Sequence, residues 1–343
     1  MKVSEIGEFG LIDVVAGLVG AEEKTGEAWR NLIIGIGDDA AAWQGEAGVQ
    51  LATVDALVQD IHFKLDLTSW EELGWKSLAI NLSDIAAMGG SPRYALVSLA
   101  LPGDIDVRDI VFFYQGMLSV ARQFEVAIAG GNISRAPLVI INITVFGNAA
   151  GASDKLLTRS SARAGDKVAV TGHLGAAASG LEMLTRGLQF DAGSAAMLRR
   201  AFLQPSPRVS EGKVLAQRGV RTAIDISDGL VSDLGHICKA SQVGACIRVA
   251  DLPVEPAVKA NFGPRALEFA LSGGEDYELL FTAPAQVIEV VKATLQPMGC
   301  PVTVIGEMVH DRDARVTVLD ENGKEFELPK AGWDHFATGK HGV

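Results

Sequence analysis

Leu32–Trp43 reads LIIGIGDDAAAW: an apolar, β-branched run (Leu32, Ile33, Ile34, Ile36) that ends in two adjacent carboxylates, Asp38 and Asp39, and then in small residues. The run predicts a buried strand, and the carboxylates a turn at its end. Two like charges side by side repel one another, so the pair is tolerable in water or where a cation sits between them. The pattern recurs. Ala223–Leu230 reads AIDISDGL, with Asp225 and Asp228 after an apolar start. Leu271–Phe281 reads LSGGEDYELLF, with Glu275, Asp276 and Glu278 between apolar flanks. Asp84 sits in the apolar run LAINLSDIAAMGG. Carboxylates set inside apolar runs, four times over, are the main clue to function, because a buried carboxylate needs a partner.

Gly35, Gly37 and Ala40 also fit the G-x-G-x-x-A spacing of a dinucleotide-binding turn. In that turn a helix N-terminus receives a pyrophosphate directly. Here the positions facing the phosphate are Asp38 and Asp39, whose charge repels it unless a metal bridges the two. The metal-bridged version is the better reading, since Mg²⁺ prefers one or two carboxylates plus substrate phosphates to an all-protein cage.

A chain of 343 residues is too long for one ordinary core, and it predicts two domains, 1–150 and 151–343. With 48% hydrophobic and 21% charged residues it should fold. A formal net charge of −12 argues against nucleic acid or an anionic membrane as main partner, since both need clustered Lys and Arg. Anionic substrates remain open, because divalent cations supply positive charge locally. Cys238, Cys246 and Cys300 are odd in number and form no C-x-x-C, so they indicate free thiols rather than disulfides or a zinc ribbon. No apolar run reaches membrane-spanning length. Glu5, Glu8 and Asp13 interrupt the first twenty residues, which makes a poor signal peptide. The expected location is the cytoplasm.

In chain order, residues 1–30 predict an amphipathic helix and a polar connector. Val49–Val54 is a second strand, closed by Asp55, and the stretch from Thr53 to His62 gathers a hydroxyl, carboxylates and an imidazole. Glu71–Met88 has helical periodicity and stops at Gly89-Gly90-Ser91-Pro92. Then come a strand (Tyr94–Leu101), a helix (Asp106–Phe124), a short strand (Val126–Ala129) followed by Gly130-Gly131-Asn132, and a strand (Leu138–Phe146). This order is that of an α/β or α+β sandwich layer rather than a doubly wound sheet. The second half predicts strands over Lys167–Thr171, Ala223–Ile226, Ala245–Val249, Tyr277–Thr282, Val302–Met308 and Arg315–Leu319. Its helices are Ala176–Arg186, Val209–Arg218, Leu230–Ala240, Ala266–Leu271 and Gln286–Leu295, with a break at Gln204-Pro205-Ser206-Pro207.

The P-loop motif, the kinase loop H-R-D, H-E-x-x-H, G-x-S-x-G and the EF-hand spacing are all absent. What remains is a set of carboxylates near glycines. Any single one also fits a turn or capping role, as Asp228 before Gly229 does. Asp38, Asp39, Asp55, Asp84, Asp225 and Asp228 together fit an all-structural origin poorly. Arg159, in LTRS, fits either a phosphate contact or a surface position. His62 fits either substrate orientation or a solvated strand end. Trp333 fits either a core position or a stacking platform for a heteroaromatic ring.

These residues carry a resemblance. GIGDDA (35–40), TVDALVQDIHF (53–63), NLSDIAAMG (81–89), LTRS (157–160), PSPR (205–208), IDISDGLVSDL (224–234), SGGEDYEL (272–279) and GWDHF (332–336) resemble the thiamine-monophosphate kinase family, in the family's order. That family is grouped with aminoimidazole ribonucleotide synthetase, selenophosphate synthetase and the hydrogenase-maturation dehydratase, which use ATP without a P-loop. The resemblance implies an α+β or α/β two-domain, synthetase-like architecture. Its N-terminal mixed sheet binds ATP and Mg²⁺ and pairs with that of a second copy into a dimer barrel, and its C-terminal domain is an α/β sandwich. ATP and several Mg²⁺ ions are then expected between the two domains, in a cleft shared with the partner of a homodimer. The implied magnesium ligands are Asp38, Asp39, Thr53, Val54, Asp55, Asp84, Asn132, Asp225 and Asp228. Gly131, Asn132, Arg159 and Ser227 are implied contacts of ATP, and His62, Glu275 and Trp333 of thiamine monophosphate.

Two departures stand out. Asn132 follows Gly130-Gly131 where the family usually shows G-G-D, and Val54 stands where a hydroxyl residue is common. Asparagine offers a metal a carbonyl oxygen but no charge. The implied reaction is ATP plus thiamine monophosphate giving ADP plus thiamine diphosphate. A phosphate acceptor, with a second pKa of about 6, needs no general base. Among rivals, the selenophosphate enzymes use an N-terminal cysteine region, and no cysteine precedes Cys238 here. The hydrogenase-maturation enzymes end in a reactive cysteine, where this sequence reads His341-Gly342-Val343. A non-catalytic ATP-binding dimer is the alternative to which Asn132 points.

Overall fold

The structure is a computed structural model that describes residues 1–22, 26–36, 40–45, 48–149 and 156–326. Asp38, Asp39 and Trp333 lie outside the described residues. The described residues divide into two compact units, residues 1–85 with 91–149, and residues 86–90 with 156–326.

The first unit contains α1 (Val3–Gly20), α2 (Glu27–Asn31), β1 (Leu32–Ile34), β2 (Ala42–Trp43), β3 (Val49–Val58) and α3 (Trp70–Ala87). Then follow β4 (Gly90–Leu101), α4 (Val107–Gln123), β5 (Ala127–Arg135) and β6 (Ile140–Ala149). A four-stranded mixed sheet runs in the order β3-β6-β4-β5. β3 and β6 pair antiparallel from Val49↔Ala149 to Val58↔Ile140, and β4 and β5 pair parallel. Side chains along β3 alternate as a one-sided strand requires: Leu51 and Leu57 are buried, whereas Ala52, Val54 and Ala56 are exposed. α4 buries Ile110, Phe113, Tyr114, Met117, Leu118 and Ala121, spaced three and four apart, so one stripe of the helix faces apolar core.

Three expectations are corrected in this unit. The strand at Leu32 is short and, among the described residues, pairs with the two-residue β2, and Ile33 is 71% exposed instead of buried. β3 continues three residues past Asp55, since the alternation that carries Leu51 inward also carries Leu57 inward. β5 runs through Gly130-Gly131-Asn132 instead of ending before them, pairing Gly131 with Val97 and Asn132 with Ser98.

The second unit begins with β7 (Lys167–Thr171), α5 (Ala176–Arg186), α6 (Ala192–Leu203), α7 (Val209–Gln217), β8 (Thr222–Asp225) and α8 (Leu230–Ser241). It continues with β9 (Gly244–Arg248), α9 (Pro256–Phe262), α10 (Ala266–Ser272), β10 (Leu279–Ala283), α11 (Ala285–Leu295), β11 (Val302–Val309) and β12 (Val316–Leu319). Six strands lie in the order β12-β9-β11-β7-β10-β8, antiparallel except for β12 against β9. Both faces are covered. Val168, Val170, Ile224 and Leu280 share a core with Met183, Leu198, Leu234, Ile237 and Phe269 from helices on one side. Ala169, Ala223, Leu279 and Phe281 share another with Leu215, Ile288, Val291 and Leu295. A strand buried on both faces reads as a continuous apolar run, as KVAVT does. None of the described helices is long and apolar enough to cross a membrane.

Candidate active site

In the first unit, alternation puts Thr53 and Asp55 on the same face of β3. Residues three apart on α3, Asn81 and Asp84, meet them. The Thr53 hydroxyl donates to Asp84 Oδ2 at 2.5 Å, and the Asp55 N–H donates to Asn81 Oδ1 at 3.1 Å. Asn81 is itself held by donating to the Ser77 carbonyl at 3.1 Å. Burial, and then the Asp84 charge, push the Asp55 carboxyl up to about 7. Two carboxylates and a hydroxyl are oxygen donors of the kind a hard divalent cation takes, and such a cation relieves their repulsion. These residues therefore fit Mg²⁺. Val54, between them, turns its side chain outward and offers only its backbone carbonyl to such an ion.

Gly131 and Asn132 lie at the opposite edge of the same sheet, separated from β3 by β6 and β4. Three strand spacings amount to about 14 Å, so one sheet does not bring Asn132 to Asp55. His62 sits in the turn after β3, where its Nδ1 accepts the Val58 N–H at 3.0 Å. A ring nitrogen that accepts carries no hydrogen, so the neutral imidazole presents an Nε2–H donor.

In the second unit, Asp225 ends β8 in a buried position, and Ser227-Asp228-Gly229 turns into α8. One helical turn on, Asp233 folds back. Its Oδ2 accepts the N–H groups of Ser227, Asp228 and Gly229, each at 3.1 Å. Burial, with the charges of Asp228 and Asp225, raises the Asp233 carboxyl to about 8 despite these bonds. Asp228, Asp233 and His236 bring two carboxylate oxygens and a ring nitrogen within 4.8 Å of one another. The Glu275 N–H donates to the Ser227 carbonyl at 2.8 Å, so the predicted substrate residue and the predicted ATP residue are neighbours. Arg159 is exposed, just after Thr158, whose N–H donates to the Arg221 carbonyl at 2.9 Å beside the start of β8.

Sequence reasoning missed Asn81, Asp233 and the role of Asp276. Asp276 accepts the N–H groups of Gly175 and Ala177, at 2.7 and 3.2 Å, and so caps α5. Desolvation raises its carboxyl to about 7. The signal for Asp233 was present, an acid in the first turn of the helix that follows S-D-G; that for Asp276 was not.

Three carboxyls held well above the ordinary range give a signed expectation. Between about pH 4 and pH 8 the folded chain binds more protons at Asp55, Asp233 and Asp276 than the unfolded chain does. This contribution is fully present below the unfolded pKa, near 4, and is lost as pH rises through 7 to 8. The urea midpoint of the ligand-free protein is therefore expected to be higher at pH 5.5 than at pH 8. A midpoint that rises with pH contradicts it.

Residues 37–149 match the family described as AIR synthase related protein, N-terminal domain, and residues 163–319 its C-terminal domain. Two mixed α/β units with acidic turns thus define a protein of the AIR synthase related class. Within that class the chain belongs to the thiamine-monophosphate kinase family. It is 40% identical over 308 residues to the thiamine-monophosphate kinase of Escherichia coli K12, spanning 89% of this chain and 92% of that one. The crystal structure of thiamine-monophosphate kinase from Stenotrophomonas maltophilia K279a superposes with a TM-score of 0.80 at 33% identity, covering 92% of this chain and 96% of that one. A structure described as AaThiL complexed with AMPPCP and TMP gives 0.75 at 31% identity, covering 98% and 99%.

Proposed function

We propose that this chain transfers the terminal phosphoryl group of ATP in line to the phosphate of thiamine monophosphate, releasing ADP and thiamine diphosphate. The observation that carries the reading is the Thr53–Asp55–Asp84 oxygen cluster, in a chain of the thiamine-monophosphate kinase family. A relative described as complexed with AMPPCP, an ATP analogue, and TMP supports the same pair of substrates. Both reactants are anionic, so charge is the first obstacle. Several Mg²⁺ ions, when bound, would supply positive charge to the phosphate oxygens of donor and acceptor. Asp55, Asp84 and Thr53 would hold such ions in one unit, and Asp225 and Asp228 in the other, with Asp38, Asp39, the Val54 carbonyl and Asn132 as further ligands. Gly131, Asn132, Arg159 and Ser227 are read as contacts of the ATP phosphates. The Nε2–H of His62 has the hydrogen a phosphate oxygen accepts, and Glu275 and Trp333 complete the thiamine monophosphate contacts. No side chain has to remove a proton, because the acceptor phosphate is already ionised at neutral pH.

The reading extends to a homodimer. β3 and β5 are the two edges of the sheet, and β3 turns Ala52, Val54 and Ala56 outward, with Val54 61% exposed. An open edge beside an exposed apolar face invites pairing. Two such sheets closed edge to edge into a barrel would enclose that face. Such closure would also set β5 of one protomer beside β3 of its partner, reducing the separation of Asn132 from Asp55. A monomer mass by sedimentation overturns the dimer.

The test of the reaction is formation of ADP and thiamine diphosphate from ATP and thiamine monophosphate, with and without Mg²⁺. Equal, magnesium-dependent amounts of both products are expected. ATP binding with no thiamine diphosphate refutes the kinase reading and favours the non-catalytic dimer.

A further inference from the structure

Glu275 and Tyr277 stand in left-handed backbone, at φ 68° and 51°. Residues with side chains avoid this region, and they persist there only where their surroundings hold them. One set of restraints is backbone pairing: Tyr277 N–H to the Ile226 carbonyl at 2.9 Å, and Ile226 N–H to the Glu278 carbonyl at 2.9 Å. The other is the Glu278 side chain, which is 6% exposed. Its carboxylate accepts from Arg208 Nε at 2.7 Å, from a second nitrogen of the same guanidinium, and from the Thr171 hydroxyl at 2.6 Å. The far side is closed as well. Gly172 has φ 59°, and a Cβ there would fall 2.0 Å from Glu278 Oε1. That oxygen cannot step aside without giving up Arg208 or Thr171. The turn that carries Ser227 and Asp228 has its own anchor, the three N–H groups gathered by Asp233.

We propose that Arg208 is a positioning residue: through its two-pronged pairing with Glu278 it holds Glu275–Tyr277 in the left-handed backbone that presents Glu275 to substrate, beside the separately anchored Asp233 turn, whose Ser227 carbonyl accepts the Glu275 N–H at 2.8 Å. The substrate's identity rests on the function proposed above; the clamp does not.

Two full-length variants test it, Arg208→Lys and Glu278→Gln. Lysine keeps the charge but loses the planar fork, and glutamine keeps the shape but loses the charge. Amide exchange across residues 272–279 is expected to quicken at least about tenfold, the scale of one charged hydrogen bond, while exchange across residues 230–241 stays unchanged. The KM for thiamine monophosphate is expected to rise about tenfold on the same scale, and the KM for ATP by clearly less, since Ser227 keeps its bond to Asp233. A merely structural role lowers the folded fraction, and with it kcat alone. If one variant fails to fold, the other decides. Unchanged exchange in a folded variant overturns the clamp. A loss confined to kcat, or an equal rise of both KM values, overturns the positioning of Glu275. A wild-type protein that forms no thiamine diphosphate refutes the reaction instead, and the exchange measurement still decides the clamp.

Discussion

Replacing Asp84 with asparagine is expected to lower kcat about a thousandfold, roughly 4 kcal/mol in the barrier, with the fold intact. The two effects separate because of what Asp84 touches. Its Oδ2 accepts the Thr53 hydroxyl at 2.5 Å, and an asparagine carbonyl oxygen accepts the same bond in the same shape. What the variant removes is one negative charge from a half-buried pair. The Asp84 charge helps hold the Asp55 carboxyl up near 7, so its loss lets Asp55 ionise more readily. The ligand-free variant therefore gains in stability at pH 8, where repulsion is greatest in the wild type. Turnover moves the other way, because the lost charge is one of those that would hold Mg²⁺ against the transferring phosphoryl group. Urea unfolding at pH 8 and kcat at saturating Mg²⁺ check both halves. A variant with near-normal turnover removes Asp84 from the site, and a midpoint that falls in step with kcat reduces it to a structural residue.

Some of the fold was legible in the residues and some was not, for identifiable physical reasons. Lys167–Thr171 reads correctly to the residue, since burial on both faces makes it a continuous apolar run between Asp166 and Gly172. α6 escaped, because only Leu198, Phe202 and Leu203 of its twelve residues are buried and its start depends on Asp191 capping Gly193 and Ser194. β3 was cut short at Asp55 because a carboxylate looks like a strand end, whereas here the Asp55 N–H donates to Asn81 Oδ1 and the strand runs on to Val58. The same logic governs the site. Asp225 and Asp228 announce themselves as acids in an apolar run. The pairing of Arg208 with Glu278 does not, because its members are 70 residues apart and the apolar flanks of Glu278 announce a buried acid without naming its partner. The three backbone groups gathered by Asp233 are equally hidden, since a pattern shows which side chains exist but not where each oxygen points.

Gly130 and Gly131 make that limit testable, since the sequence treats them alike and the structure does not. Gly131→Ala is expected to be strongly destabilising, and Gly130→Ala to be tolerated. A Cβ on Gly130 would meet Leu96 Cδ2 at 3.4 Å and Ala41 Cβ at 3.8 Å, ordinary contacts with side chains that can yield. A Cβ on Gly131 would lie 1.8 Å from the Val97 carbonyl oxygen and 2.7 Å from its carbon. Those atoms are backbone of β4, the parallel partner of β5, and they cannot retreat without opening the ladder that pairs Gly131 with Val97 and Asn132 with Ser98. Overpacking against side chains costs about 1–3 kcal/mol, and a clash with backbone belongs at or above the top of that range. Because β5 is an edge strand, the strain has an outlet: residues 130–132 can peel away while the rest of the unit holds. Gly131→Ala should therefore lower the urea midpoint clearly and also weaken ATP binding, through displacement of the adjacent Asn132. Gly130→Ala should leave both within error. Equal effects at the two positions would falsify the close approach of β5 to β4 at Gly131, and with it the placement of Asn132 on a paired strand.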